Sequence, residues 1–109
     1  MGNWTNIEDQ RAWFRARYLK NVTRVRNIKL DRGCADCGYN EKHYVLEFDH
    51  VQPRLRGTVS SQMRGSWRMV EEEIARCEVV CANCHAERTW KRRQEEKVAL
   101  ERVELSLNA

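Results

Sequence analysis

Two short phrases of this chain concentrate side chains that can do chemistry: Phe48-Asp49-His50, and further on Cys81-Ala82-Asn83-Cys84-His85. An imidazole with an ordinary pKa of about 6.5 can take a proton from water near neutral pH, which makes His50 a candidate general base. Asp49 offers a hard anionic oxygen and His85 an imidazole nitrogen. That mixed pair suits Mg²⁺, Mn²⁺ or a later divalent transition metal. Cys81 and Cys84 have the spacing of half a zinc site, so one loop holds candidate structural and catalytic groups side by side.

The other half of that zinc site is Cys34-Ala35-Asp36-Cys37. Two residues between cysteines let one tight turn aim both sulfurs at a metal, and four thiolates satisfy tetrahedral zinc. Cys34, Cys37, Cys81 and Cys84 therefore predict a structural Zn²⁺, in preference to disulfides or a redox pair. Cys77, with three residues between it and Cys81, has the wrong spacing for a knuckle and reads as a buried small hydrophobe.

The elements that must position these groups are legible in outline. Thr5-Asn6-Ile7-Glu8 reads as a capping box opening a helix toward residue 30, with a break possible at the β-branched Val22, Thr23 and Val25. Trp13, Phe14, Arg17, Tyr18, Val25 and Ile28 form a stripe expected to pack against the zinc module, and Arg11, Arg15, Lys20, Arg24 and Arg26 mark the opposite face. Gly33 ends that helix and Gly38 turns the first knuckle. Residues 44–51 read as a strand, 52–65 as a loop, and Ser66 as the cap of a short helix carrying Trp67, Val70 and Ile74. Glu71 to Glu73 are taken as acids tolerated near that helix's start. Glu78-Val79-Val80 supplies a return strand. The last helix begins inside the second knuckle and extends through Val98 and Val103, with fraying from Ser106. Neighbouring strand residues face opposite ways, so Asp49 and His50 need a twist or bulge to share one site.

Bulk properties narrow the class. At 109 residues the chain is about one domain, and a core of that size benefits from a metal staple. The sequence predicts one unit over 1–109: a basic N-terminal helix at 1–32, a zinc-stapled core at 33–96 and a helical tail at 97–109. No apolar run approaches the roughly 20 residues of a membrane span, and the start lacks a signal-peptide layout, so a cytoplasmic protein is expected. The net charge is +4, with eight Lys or Arg against one acid between Arg11 and Arg32. Such asymmetry suggests a polyanionic partner, nucleic acid by default.

Over about residues 33 to 93, the cysteine pairs, Asp49-His50, Asn83 and His85 resemble the zinc-finger branch of the HNH endonucleases. The resemblance implies an α+β fold: a ββα-metal (HNH or His-Me finger) core stapled by the four cysteines, with long N- and C-terminal helices. It implies hydrolysis of DNA phosphodiester bonds, with His50 activating water and Asp49 and His85 holding Mg²⁺ or Mn²⁺, leaving 5′-phosphate and 3′-hydroxyl ends. Much of the family carries an orienting Asn five residues before the third cysteine, where this chain has Arg76. Asn83 completes the motif literally, as a catalytic or positioning residue or as a turn residue between two ligands. Arg54, Arg56 and Arg64 after the strand, and Arg88, Lys91, Arg92 and Arg93 after His85, are the expected phosphate contacts. Trp67 and Trp90 read as core rather than base-stacking rings. Small HNH proteins of this kind resemble those encoded by phages beside packaging genes, which implies a terminase as a possible partner, and a monomer or weak dimer. The rival readings are a non-catalytic zinc module binding nucleic acid or protein, and a redox-sensing CxxC protein that leaves Asp49, His50 and His85 unexplained.

Overall fold

The computed structural model describes residues 6–108. Its first helix, α1 (Ile7–Arg32), starts where the Asn6 side chain accepts a hydrogen bond from the Asp9 amide at 2.9 Å. The Thr5 of the expected capping box lies outside the described residues. Val22, Thr23 and Val25 do not break α1, because Val25 is buried there and tertiary packing outweighs a weak local preference. Gly33 closes the helix, donating its amide to Lys29 O at 2.8 Å with φ at +67°.

Two strands follow, β1 (Leu46–His50) and β2 (Cys77–Cys81), paired antiparallel from Leu46↔Cys81 to His50↔Cys77. Between them lie a loop and the short helix α2 (Trp67–Ile74), whose cap is Ser66, accepting from the Met69 amide. The last helix, α3 (Ala82–Asn108), begins directly after the third cysteine. It stays helical through Ser106 to Asn108, where fraying was expected. The architecture is thus mixed α+β: three helices around a two-stranded antiparallel sheet, with a four-cysteine cluster that can bind a metal.

The core has two small lobes joined by Phe48. Val25, Val59, Val70, Ile74 and Cys77 pack between α1, α2 and β2, while Cys34, Leu46, Val79, Val80 and Cys81 pack beside the cysteine cluster. Only the C-terminal half of α1 joins this packing. Trp13 and Phe14, expected on a buried stripe, are 38% and 50% exposed, because the sheet is too short to reach them. Trp90 is likewise exposed rather than core. The loop over 52–65 is tied down onto α1: Asn21 Nδ2 donates to Met63 O and Gly65 O, and Arg17 Nε to Gly65 O, all at 2.9 Å. No helix among the described residues is long and apolar enough to cross a membrane.

Candidate functional site

The cysteine cluster is built by two matching turns. Cys34 follows the end of α1 and Cys81 ends β2; in each knuckle the second cysteine's amide points at the first one's sulfur, Cys37 N to Cys34 Sγ at 3.4 Å and Cys84 N to Cys81 Sγ at 3.5 Å. The Ala35 amide donates to Val79 O at 2.8 Å, fastening the first knuckle to β2. All four sulfurs lie within 4.8 Å of one another, and Cys37 Sγ stands 3.7 Å from Cys81 Sγ. A tetrahedron with Zn–S bonds of about 2.3 Å has edges of about 3.8 Å, so the cluster has the dimensions of a zinc site and not of disulfides. Burial pushes the Cys34 thiol up, but amide donors from Cys81, Cys37 and Asp36 outweigh it and hold the thiol down at about 6. Cys77 stays apart, buried, donating its thiol to Glu73 O, with burial pushing it up to about 11.

His50 closes β1 facing α2. Its Nε2 lies 2.9 Å from Glu73 Oε2, and the Glu73 side chain has no exposed surface. The same carboxylate accepts from the Leu55 amide at 3.2 Å and the Arg56 amide at 2.7 Å. Burial alone would raise the Glu73 carboxyl, but the bonds from His50 and those two amides bring it down to about 2. Glu73 is the functional residue that sequence reasoning missed. The sequence places it among three acids tolerated near the start of α2, yet it shares the stripe of Val70 and Ile74. A charge set into an apolar stripe was the available signal.

Asp49 faces the other way, toward α3. It is 3% exposed, and both of its oxygens are engaged. Arg92 donates to Oδ1 and Oδ2 at 2.7 Å and Arg88 to Oδ2 at 2.9 Å. The Arg92 guanidinium, foremost, holds the Asp49 carboxyl down to about 2 against burial, with Arg88 assisting. His85, on the first turn of α3, presents Nε2 to Asp49 Oδ1 at 3.4 Å, while its Nδ1 is bonded to the Glu47 carboxylate. A carboxylate on the far nitrogen of a histidine fixes its tautomer and turns the other lone pair outward, the arrangement of a metal-ligating imidazole.

The ladder runs regularly through Asp49 and His50, so neither twist nor bulge brings these residues together. Among the described residues the sheet instead has only two strands, which leaves one edge of β1 unpaired. A cleft of about 350 Å³ is lined by residues of that strand, Glu47, Phe48 and His50, together with Lys29, Arg54 and His85. Residues from opposite faces of β1 open into one space across its edge.

The remaining expected site residues scatter. Asn83 is exposed and lines a separate small cleft with Cys37 and Tyr39, away from His50, whose partner is Glu73. Arg76, in the place of the family's usual Asn, secures the chain after His50: its Nη1 donates to Pro53 O at 2.9 Å and its carbonyl accepts from the Val51 and Gln52 amides. Arg88 and Arg92, read as phosphate contacts, are committed to Asp49, with Arg88 also bidentate to Asp36. Arg56 pairs with Glu72 at 2.8 Å and Lys91 with Glu87 at 3.7 Å. Arg64 lies over the Tyr18 ring, remote from the His50 cleft. Arg54 alone of the expected phosphate contacts lines that cleft.

No protein-family model matches this chain, and neither a curated protein nor a solved structure matches it.

Proposed function

We propose that this chain is a metal-dependent endonuclease of the HNH type, hydrolysing DNA phosphodiester bonds with His50 as general base. The observation that carries this reading is the His50–Glu73 pair opening into a cleft shared with His85. The Glu73 carboxylate can only accept a hydrogen bond, so the proton of His50 sits on Nε2. Nδ1 then keeps its lone pair and can take a proton from a water held against a phosphorus atom. Lys29 and Arg54 place positive charge on the same cleft, where a phosphate would lie. Asp49 Oδ1 and His85 Nε2, 3.4 Å apart, are the donors that would hold a divalent cation, with Arg92 releasing Oδ1 as the ion binds. When bound, such a cation neutralises the phosphate and stabilises the departing oxygen. The succession β1, β2, α3 also has the order of a ββα-metal unit, with the four-cysteine site at its base taking Zn²⁺.

A plasmid-nicking assay with Mg²⁺ or Mn²⁺ tests this. Wild type nicks; His50→Ala loses about 10²- to 10⁴-fold in rate; His85→Ala keeps its fold and its zinc but loses cation-dependent turnover. Plasmid left equally intact by wild type and His50→Ala across several metals sinks the proposal. It would favour the second reading, a non-catalytic zinc module, for which the two arginines on Asp49 speak: a carboxylate so saturated is built like a structural ion-pair network.

A further inference from the structure

We propose that the groove between the N-terminal half of α1 and Arg64 seats the C-terminal end of α3 from a second copy of this chain. The groove encloses about 660 Å³ and is lined by Arg11, Phe14, Arg15, Tyr18, Leu19 and Arg64. Three guanidinium groups and no carboxylate line it among the described residues, so its complement is acidic. That complement is also apolar, because Leu19 on the same wall is 54% exposed. Both rings are already engaged: Phe14 meets Trp13 edge to face with centroids 5.0 Å apart, and Tyr18 carries Arg64 at 5.3 Å. The site therefore suits aliphatic and acidic side chains rather than stacked planar ligands. It is preformed, because Asn21 and Arg17 hold the backbone at Met63 and Gly65 against α1.

The end of α3 has the matching make-up. Between residues 94 and 108 it carries four glutamates against two bases. Leu100, Val103, Glu104 and Leu107 fall at i, i+3, i+4 and i+7, the pattern of a helix laid into a groove. Glu96 stands one turn before Leu100 and Glu104 one turn after it, a row about 12 Å long. Arg11, Arg15 and Leu19 form a row of the same spacing on α1, and rows of this kind interleave when helices pack. The chain's own tail does not fill its groove, since every described residue of α3 beyond Arg92 is exposed. Nor does α3 contain a glycine or proline at which to turn back, so the tail comes from another copy. Two copies exchanging tails make two identical contacts and a closed pair. The inference is independent of the hydrolytic reading: a protein that pairs this way and cuts nothing leaves it intact.

Sedimentation velocity of the zinc-loaded full chain over a concentration series is the test. Wild type shifts from monomer toward dimer as concentration rises, and added salt weakens the shift. Reversing the groove with Arg11→Glu and Arg15→Glu, or the tail with Glu96→Arg and Glu104→Arg, weakens self-association about tenfold. Mixing the two variants restores it, because opposite charges then meet in both contacts. Should the groove pair lower the helical signal by circular dichroism, Arg64→Glu, which lies off α1, replaces it with the same expected loss. Sedimentation independent of concentration, association that survives groove reversal, or a mixture that stays monomeric overturns the proposal. The second of these points to tails pairing with each other.

Discussion

At the scale of single residues, the decisive feature is a buried carboxylate satisfied by donors alone. Glu73 Oε1 accepts the Arg56 amide and Oε2 accepts both His50 Nε2 and the Leu55 amide. Glutamine cannot reproduce this, because its NH₂ must face one of those N–H groups. Glu73→Gln is therefore expected to cost about 1–3 kcal/mol, measured by urea unfolding of the zinc-loaded protein. Folding depresses this carboxyl, so its stabilisation is complete above the ordinary carboxylate range and drains only as pH falls from about 4 toward 2. The Glu73→Gln penalty should hence be equal at pH 8 and pH 9. A penalty that shrinks between them would show that something other than the ionised carboxylate sets it. Asp49 and His50 stand out in the sequence as an adjacent pair read together with the CxxCH phrase downstream. Glu73 does not, since its meaning depends on which face of α2 turns inward. Strand alternation puts Glu47 on the Asp49 side of β1, but its hold on His85 requires knowing where α3 starts.

At the scale of elements, the two knuckles do most of the positioning. α3 begins at Ala82 because Cys81 and Cys84 wrap the first turn around the cluster, and that start places His85, Arg88 and Arg92 over Asp49. Spacing alone disclosed the cysteines and the helix that follows them, as it did the Ser66 cap and the buried Val70 and Ile74. It did not disclose that Arg88 and Arg92 reach back to Asp49, since a fraction of a turn separates a phosphate-facing arginine from one on a buried carboxylate. Removing a thiolate should remove more than a ligand. In a domain with two lobes this small, the binding free energy of a zinc at the four cysteines would be folding free energy. Cys84→Ser is expected to abolish the cooperative melt by circular dichroism, and a chelator should do the same to wild type. A native melt in either case would show that the hydrophobic lobes suffice.

At the scale of the whole molecule, the shape is extended, 71 × 34 × 18 Å, because its two long helices outrun a sheet of five-residue strands. A helix of 27 residues is about 40 Å long, yet α3 touches the sheet only through its first turns. Beyond Arg92 it is exposed on every side, with Leu100, Val103, Leu105 and Leu107 between 57% and 81% accessible. Residues 97–108 thus lend the core no packing, and a helix of that length alone is marginal in water. Ending the chain after Glu96 is expected to leave the zinc-dependent melt within about 0.5 kcal/mol of wild type, while the far-ultraviolet helical signal falls. Exposed leucines on a projecting helix are also where copies of the chain would meet, and the full-length protein alone should then sediment faster as concentration rises. If truncation instead lowers the melt by several degrees and sedimentation is the same for both lengths, the tail folds back onto its own core in solution, and residues 1–96 are not independent of it.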